Sequence, residues 1–213
     1  VSETGDRSIL AWMVDNNLIV AANGAVAPNS DASYLFAYFI NLKEINFGDC
    51  FDTSNVTDMT RMFAGCSSLT DLDIASFNTS KVKSMNRMFF NCGSLTELDL
   101  SAFDTENVIN MSQMFHSCSD LTNLNLDGFD TSNVTNMSYM FYDCANLISL
   151  DLSSFDTSSV TDMRSMFSCC SKLASLDLTG FSTSKTGTIL DMFWGCGNLK
   201  KAEFTIELDP DEE

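Results

Sequence analysis

At 213 residues and a formal net charge of −18, the chain is long enough for one sizeable core. It carries the wrong sign of charge for nucleic acid or anionic membrane surfaces, which are bound through lysine and arginine patches. Two prolines and ten glycines exclude a collagen-like or low-complexity chain, and no apolar run approaches the ~20 residues of a membrane span.

In chain order, residues 1–32 read as an N-terminal cap containing a β-hairpin, because the apolar runs 10–14 and 18–22 flank Asp15, Asn16 and Asn17. No basic leader or cleavage site precedes it, and the missing initiator Met predicts a trimmed chain. Residues 33–50 read as a degenerate first coil. Leu42, Ile45 and Phe47 give a strand motif there, and Leu35, Phe36 and Phe39 stand where later coils have Met, Phe and Cys. From residue 51 a strict 26-residue period begins. Phe51, Phe77, Phe103, Phe129, Phe155 and Phe181 mark it, as do Cys66, Cys92, Cys118, Cys144, Cys170 and Cys196. Six repeats thus fill 51–206, and 207–213 is expected to be an acidic exit tail. A period of this length specifies a solenoid, because one unit cannot bury its apolar face without stacking on copies of itself.

Within a unit the hydrophobic period changes. Val56, Met59, Met62, Phe63 and Cys66 follow steps of three and four, which predicts one face of a short helix, N-capped by Ser54 to Asp58 and ended near Gly65. Leu69, Leu72 and Ile74 bring in the alternation of a strand with one buried face. The predicted fold is an α/β solenoid, a leucine-rich-repeat-like right-handed stack of strand-helix coils. A parallel sheet would form one face and short helices the other, with Phe, Met and Cys ladders between. The ladder cysteines are expected to be free, buried thiols, since their side chains point the same way. Cys50 and Cys169 lie too many coils apart to pair.

At this level of detail the pattern L-x-x-L-x-L-x-x-F-D-T-S-x-V-x-x-M-x-x-M-F-x-x-C resembles the BspA-like leucine-rich repeat surface proteins of bacteria. The stretches 129–137 (FDTSNVTNM) and 140–144 (MFYDC) match it nearly letter for letter, and the resemblance covers about residues 33–204. It implies an extracellular, wall- or lipid-anchored protein that adheres to host or neighbouring-cell proteins. It carries no catalytic residues over.

The residues themselves give no enzyme. The sole histidine, His116, occupies a variable column with Ala64, Phe90, Tyr142, Ser168 and Trp194, and the serines and threonines sit at corners without a Ser/His/Asp arrangement. No cofactor or metal is expected. Calcium is the alternative, as a stabiliser of a structural surface element without a dedicated ligand. It is suggested by the column Asp73, Asp99, Asn125, Asp151, Asp177 and Glu203, whose simpler reading is a solvated face. A threonine column from Thr53 to Thr183 could be an ice-binding lattice, but corner hydrogen bonding is the expectation. The expected function is non-catalytic protein binding. The partner-binding surface is placed on the strand face at Asp71, Asp73, Glu97, Asp99, Asn123, Asn125, Asp151 and Asp177, and the helix-wall aromatics Phe90, Tyr142 and Trp194 are the second choice. The partner would be an extracellular or cell-surface protein, and the chain itself a monomer.

Overall fold

The computed structural model describes residues 10–21, 26–47 and 51–204. The chain winds as a stack of coils whose strands are short: β1 (Leu10–Val14), β2 (Asn17–Ala21), β3 (Glu44–Asn46), β4 (Asp71–Leu72), β5 (Glu97–Asp99), β6 (Asn123–Asn125), β7 (Ser175–Leu178) and β8 (Lys201–Phe204). β1 and β2 form the expected hairpin. Its two-residue turn, Asp15 and Asn16, has φ of 49° and 68°, the doubly left-handed geometry that Asp and Asn tolerate best. β2 then pairs in parallel with β3, and β3 with β4.

Two expectations are corrected. The sheet is not continuous: it falls into three pieces, β1 to β4, β5 with β6, and β7 with β8. With only two to four residues per inner strand, few ladder bonds can form before the next corner turns the chain away.

The larger correction concerns the opposite wall, where no α-helix is found among the described residues. That wall is a run of tight turns. Met62 N–H bonds to the Met59 carbonyl, Ala64 to Arg61, Cys66 to Phe63 and Leu69 to Cys66. The alternate N–H groups, those of Met59, Arg61, Phe63 and Gly65, leave the coil altogether and donate to the carbonyls of Ser84, Asn86, Met88 and Phe90 in the next one, at 2.7–3.0 Å. Left-handed residues make this alternation possible. Two columns carry positive φ, one running Arg61, Arg87, Gln113, Tyr139, Ser165, Asp191 and the other Gly65, Asn91, Ser117, Asp143, Cys169, Gly195. A positive φ at the third position of a turn is the type II signature, and it cannot occur inside a right-handed helix. A Cβ at Gly65 would lie 2.5 Å from the exposed Tyr38 ring, so a side chain there would have to push that ring aside.

Asx corners set the coils up. Asp58 Oδ1 accepts the Thr60 N–H at 2.8 Å, and Asn110, Asn136 and Asp162 do the same two residues ahead of themselves. These carboxylates and amides therefore fold the wall into turns rather than cap helices. An unbroken bridge ladder, Asp31–Asp58–Ser84–Asn110–Asn136–Asp162–Thr188, runs through the same column.

The core lies between wall and strands, with the sequence-marked ladders filling it. Phe36, Phe63, Phe89, Phe115, Phe141, Phe167 and Phe193 stack with centroids 5.5–5.8 Å apart and planes within 11°, a spacing set by the coil step. The corner rings Phe51 to Phe181 and the methionines at 59, 62, 85, 88, 111, 114, 137, 140, 163 and 166 are buried with them.

The threonine column is buried too, at 0–1% exposure for Thr53, Thr79, Thr105, Thr131 and Thr157, so it cannot present an ice-binding lattice. Each staples two coils. Thr131 Oγ1 donates to the Asp156 carbonyl at 2.8 Å and accepts the Asp156 N–H at 2.9 Å.

The cysteine thiols make the reverse contact. Cys118 Sγ donates to the Phe89 carbonyl at 3.1 Å, and Cys66, Cys92, Cys144, Cys170 and Cys196 repeat this. Every cysteine among the described residues is free, and Cys50 lies outside them. Burial pushes the Cys118 and Cys170 thiols up to about 12 and Cys66 to about 11, so they stay protonated and unreactive.

Candidate functional site

The strand face carries two outward columns, and the structure gives them different duties. In the first, Asp73, Asp99, Asn125, Asp151 and Asp177 each accept, through Oδ1, the backbone N–H two residues on, at 2.9–3.1 Å. These side chains close the corner after each strand. The N–H and hydroxyl of Ser101, Ser153 and Thr179 hold the carboxyls of Asp99, Asp151 and Asp177 below the usual carboxylate range. Glu203 continues the column, but its side chain lies outside the described set.

The second column, Asp71, Glu97, Asn123, Ser149 and Ser175, is exposed. No side-chain hydrogen bond or ion pair engages any of the five among the described residues. Its charge changes along the stack, from Glu44, Asp71 and Glu97 through neutral Asn123, Ser149 and Ser175 to Lys201.

Together the columns line an open groove of about 630 Å³, with Asp71, Glu97, Asp99, Asn123 and Asn125 on its walls and Leu72 and Leu124 half-exposed in its floor. A second groove of about 580 Å³ adjoins it over Glu44, Phe47, Asp71 and Asp73. Of the eight residues placed on this face by sequence, six border the grooves through the first four coils, Asp151 lies at the far rim, and Asp177 stands apart within β7. Among the described residues no group of three or more His, Cys, Asp or Glu is arranged to hold a metal ion.

The wall column of the second choice is mostly occupied with itself. His116 lies between Phe90 and Tyr142, with centroids 4.8 and 4.6 Å away, so the ring faces pack on each other and only their edges meet solvent. Arg87 sits 5.7 Å over Phe90 and bonds Gln113 through Nε at 3.0 Å. His116 Nδ1 meets Ser117 Oγ at 2.9 Å, and Ser117 donates to Asp143 Oδ2 at 3.3 Å. Burial lowers the His116 pKa. These groups lie outside both grooves, and the arrangement orders the wall rather than aiming a base at a pocket. Trp194, in the last coil, is detached from the stack and 64% exposed.

No helix among the described residues is long and apolar enough to cross a membrane.

The comparisons fit this geometry. The chain aligns with the crystal structure of the T. pallidum leucine-rich repeat protein (TpLRR) over 97% of its own length and 99% of that chain, with a TM-score of 0.51 and 18% identity. The fold is therefore leucine-rich-repeat-like. No curated protein matches. The model of the family described as "Mycoplasma protein of unknown function, DUF285" matches residues 31–147 and 122–207, which together take in every described coil, and the chain belongs to that family.

Proposed function

We propose that this chain is a non-catalytic protein-binding module of a BspA-like cell-surface protein, exported and used for adhesion to host or neighbouring cells. Its strand-face groove would receive a basic, extended segment of an extracellular partner. What carries the reading is the contrast between the two columns. Asp73 and its equivalents each commit Oδ1 to the backbone, while Asp71, Glu97 and Asn123 stand exposed and unengaged beside half-buried Leu72 and Leu124. Free carboxylates of one sign along a groove steer and register a basic partner, while the leucines supply apolar contact. The BspA-like part rests on the F-D-T-S and M-F-x-x-C motifs. Calcium stabilisation, the other reading, is weakened because the acidic column already commits Oδ1 to N–H groups and no three His, Cys, Asp or Glu side chains converge on one point among the described residues.

The test is calorimetric titration with an oligolysine peptide, then with partners captured from matrix and serum. Binding should weaken as salt rises and fall at least tenfold in the double variant Asp71→Lys, Glu97→Lys, with the melting temperature kept. Unchanged affinity in that variant, with loss on Tyr142→Ala, would move the site to the turn wall.

A further inference from the structure

The chain carries 29 aspartates and glutamates against 11 lysines and arginines, so a basic side chain has acids to choose from. Among the described residues one ion pair forms, Arg164 with Asp162. Arg61 and Arg87 stand apart from this. They occupy one left-handed column of the turn wall in consecutive coils, both half-buried, and no carboxylate lies within ion-pair distance of either among the described residues. The coil step along the stack is about 5 Å, so two like charges sit side by side without a counter-charge.

Neutral groups hold both guanidiniums in place. Arg61 lies 5.2 Å over the Tyr34 ring and donates through Nη1 to the Tyr34 hydroxyl. Arg87 lies 5.7 Å over the Phe90 ring, and its Nε donates to Gln113 Oε1. Each guanidinium is thus oriented but not neutralised. Both terminal nitrogens of Arg87, and Nε and Nη2 of Arg61, have no acceptor among the described residues. The side-chain amides of Asn91 and Gln113 keep free N–H groups beside them. The nearest acids of the wall are turned to other work. Asp31 and Asp58 accept the N–H groups of Ser33 and Thr60, and Asp143, two coils beyond Arg87, accepts the Ser117 hydroxyl.

We propose that Arg61 and Arg87 form a second binding site, for a carboxylate-bearing sugar of a glycan. A guanidinium edge meets a carboxylate through two parallel N–H···O bonds, and the amides of Asn91 and Gln113 suit the hydroxyls of the same sugar. Tyr38, which lies against Gly65 in the coil of Arg61 and is 58% exposed, supplies a ring for the sugar's C–H face. An acidic peptide fits less well. The alternate wall N–H groups of these coils are spent on carbonyls of the next coil, so they are not available to pair with a peptide backbone. The net charge of −18 does not forbid an acidic ligand, because carboxylates more than about 8 Å away are screened at physiological ionic strength. The site uses neither groove and does not depend on the strand-face reading.

Calorimetric titration of the full chain with a short oligosaccharide of uronic acid units tests this. Saturable binding is expected. The same oligosaccharide with its carboxyls reduced to alcohols should bind the unaltered chain at least about tenfold more weakly. Arg61→Gln and Arg87→Gln should each weaken uronate binding by a similar factor with the melting temperature kept. Arg87→Lys should not restore it, because an ammonium cannot present the paired edge. Absence of uronate binding overturns the proposal, as does unchanged affinity for the reduced sugar or in either glutamine variant. Oligoglutamate or a sulfated oligosaccharide of equal length binding as tightly as the uronate would also overturn it, since the site would then be answering to negative charge alone.

Discussion

The turn wall and the strand face are built from the same 26-residue unit, yet they differ in how the coils are joined. On the wall, one bridge ladder runs without a break from Asp31 to Thr188, alternate N–H groups cross every coil boundary, and phenylalanine rings stack along the whole length. On the strand face the sheet is broken into three pieces, and the side chains of Asp71, Glu97, Asn123, Ser149 and Ser175 make no hydrogen bond or ion pair among the described residues. Stability and variability are thereby separated. The wall holds the stack together, so the strand face can change its side chains from Asp71 to Ser175 without disturbing a neighbour.

Substitutions can break or sharpen that contrast. The largest effect is expected in the wall's ring ladder. Phe115→Ala removes a fully buried ring stacked on Phe89 and Phe141 and should cost about 3–5 kcal/mol in denaturant unfolding. A smaller change has a diagnostic sign. Asn91 is exposed and held at φ 57°. Asn91→Ala should therefore destabilise by about 1 kcal/mol, because alanine resists the left-handed region, whereas in a helix the same change would stabilise. On the strand face Glu97→Gln should alter stability by less than about 0.5 kcal/mol, and a larger loss there would show that the outward column carries the stack as well.

The period, the hairpin and the residues of every ladder were legible in the sequence because identical residues at a fixed step must meet in a stack. The helix was a misreading with a physical cause. Met59, Met62, Phe63 and Cys66 advance by threes and fours in consecutive tight turns just as they would in a helix, so hydrophobic spacing alone does not separate the two. Other residues did. Four of the six residues in one positive-φ column, Gly65, Asn91, Asp143 and Gly195, are of types that accept it, and the Asp or Asn two residues before a turn is as much an Asx corner as an N-cap. At the strand face, alternation placed both outward columns correctly. It could not reveal that Asp73 and its equivalents are spent on the N–H two residues ahead, because that depends on where each strand stops.

The claim that whole coils are the unit of this fold is tested most directly by two deletions. Removing residues 103–128 joins Ala102 to Phe129, sets Phe89 on Phe141 and Cys92 on Cys144, and keeps every crossing N–H opposite a carbonyl. Removing 103–115 instead sets wall positions against strand positions. Cooperative thermal unfolding should survive the first deletion with a slightly lower midpoint and be lost in the second. Equal damage from both would contradict the account.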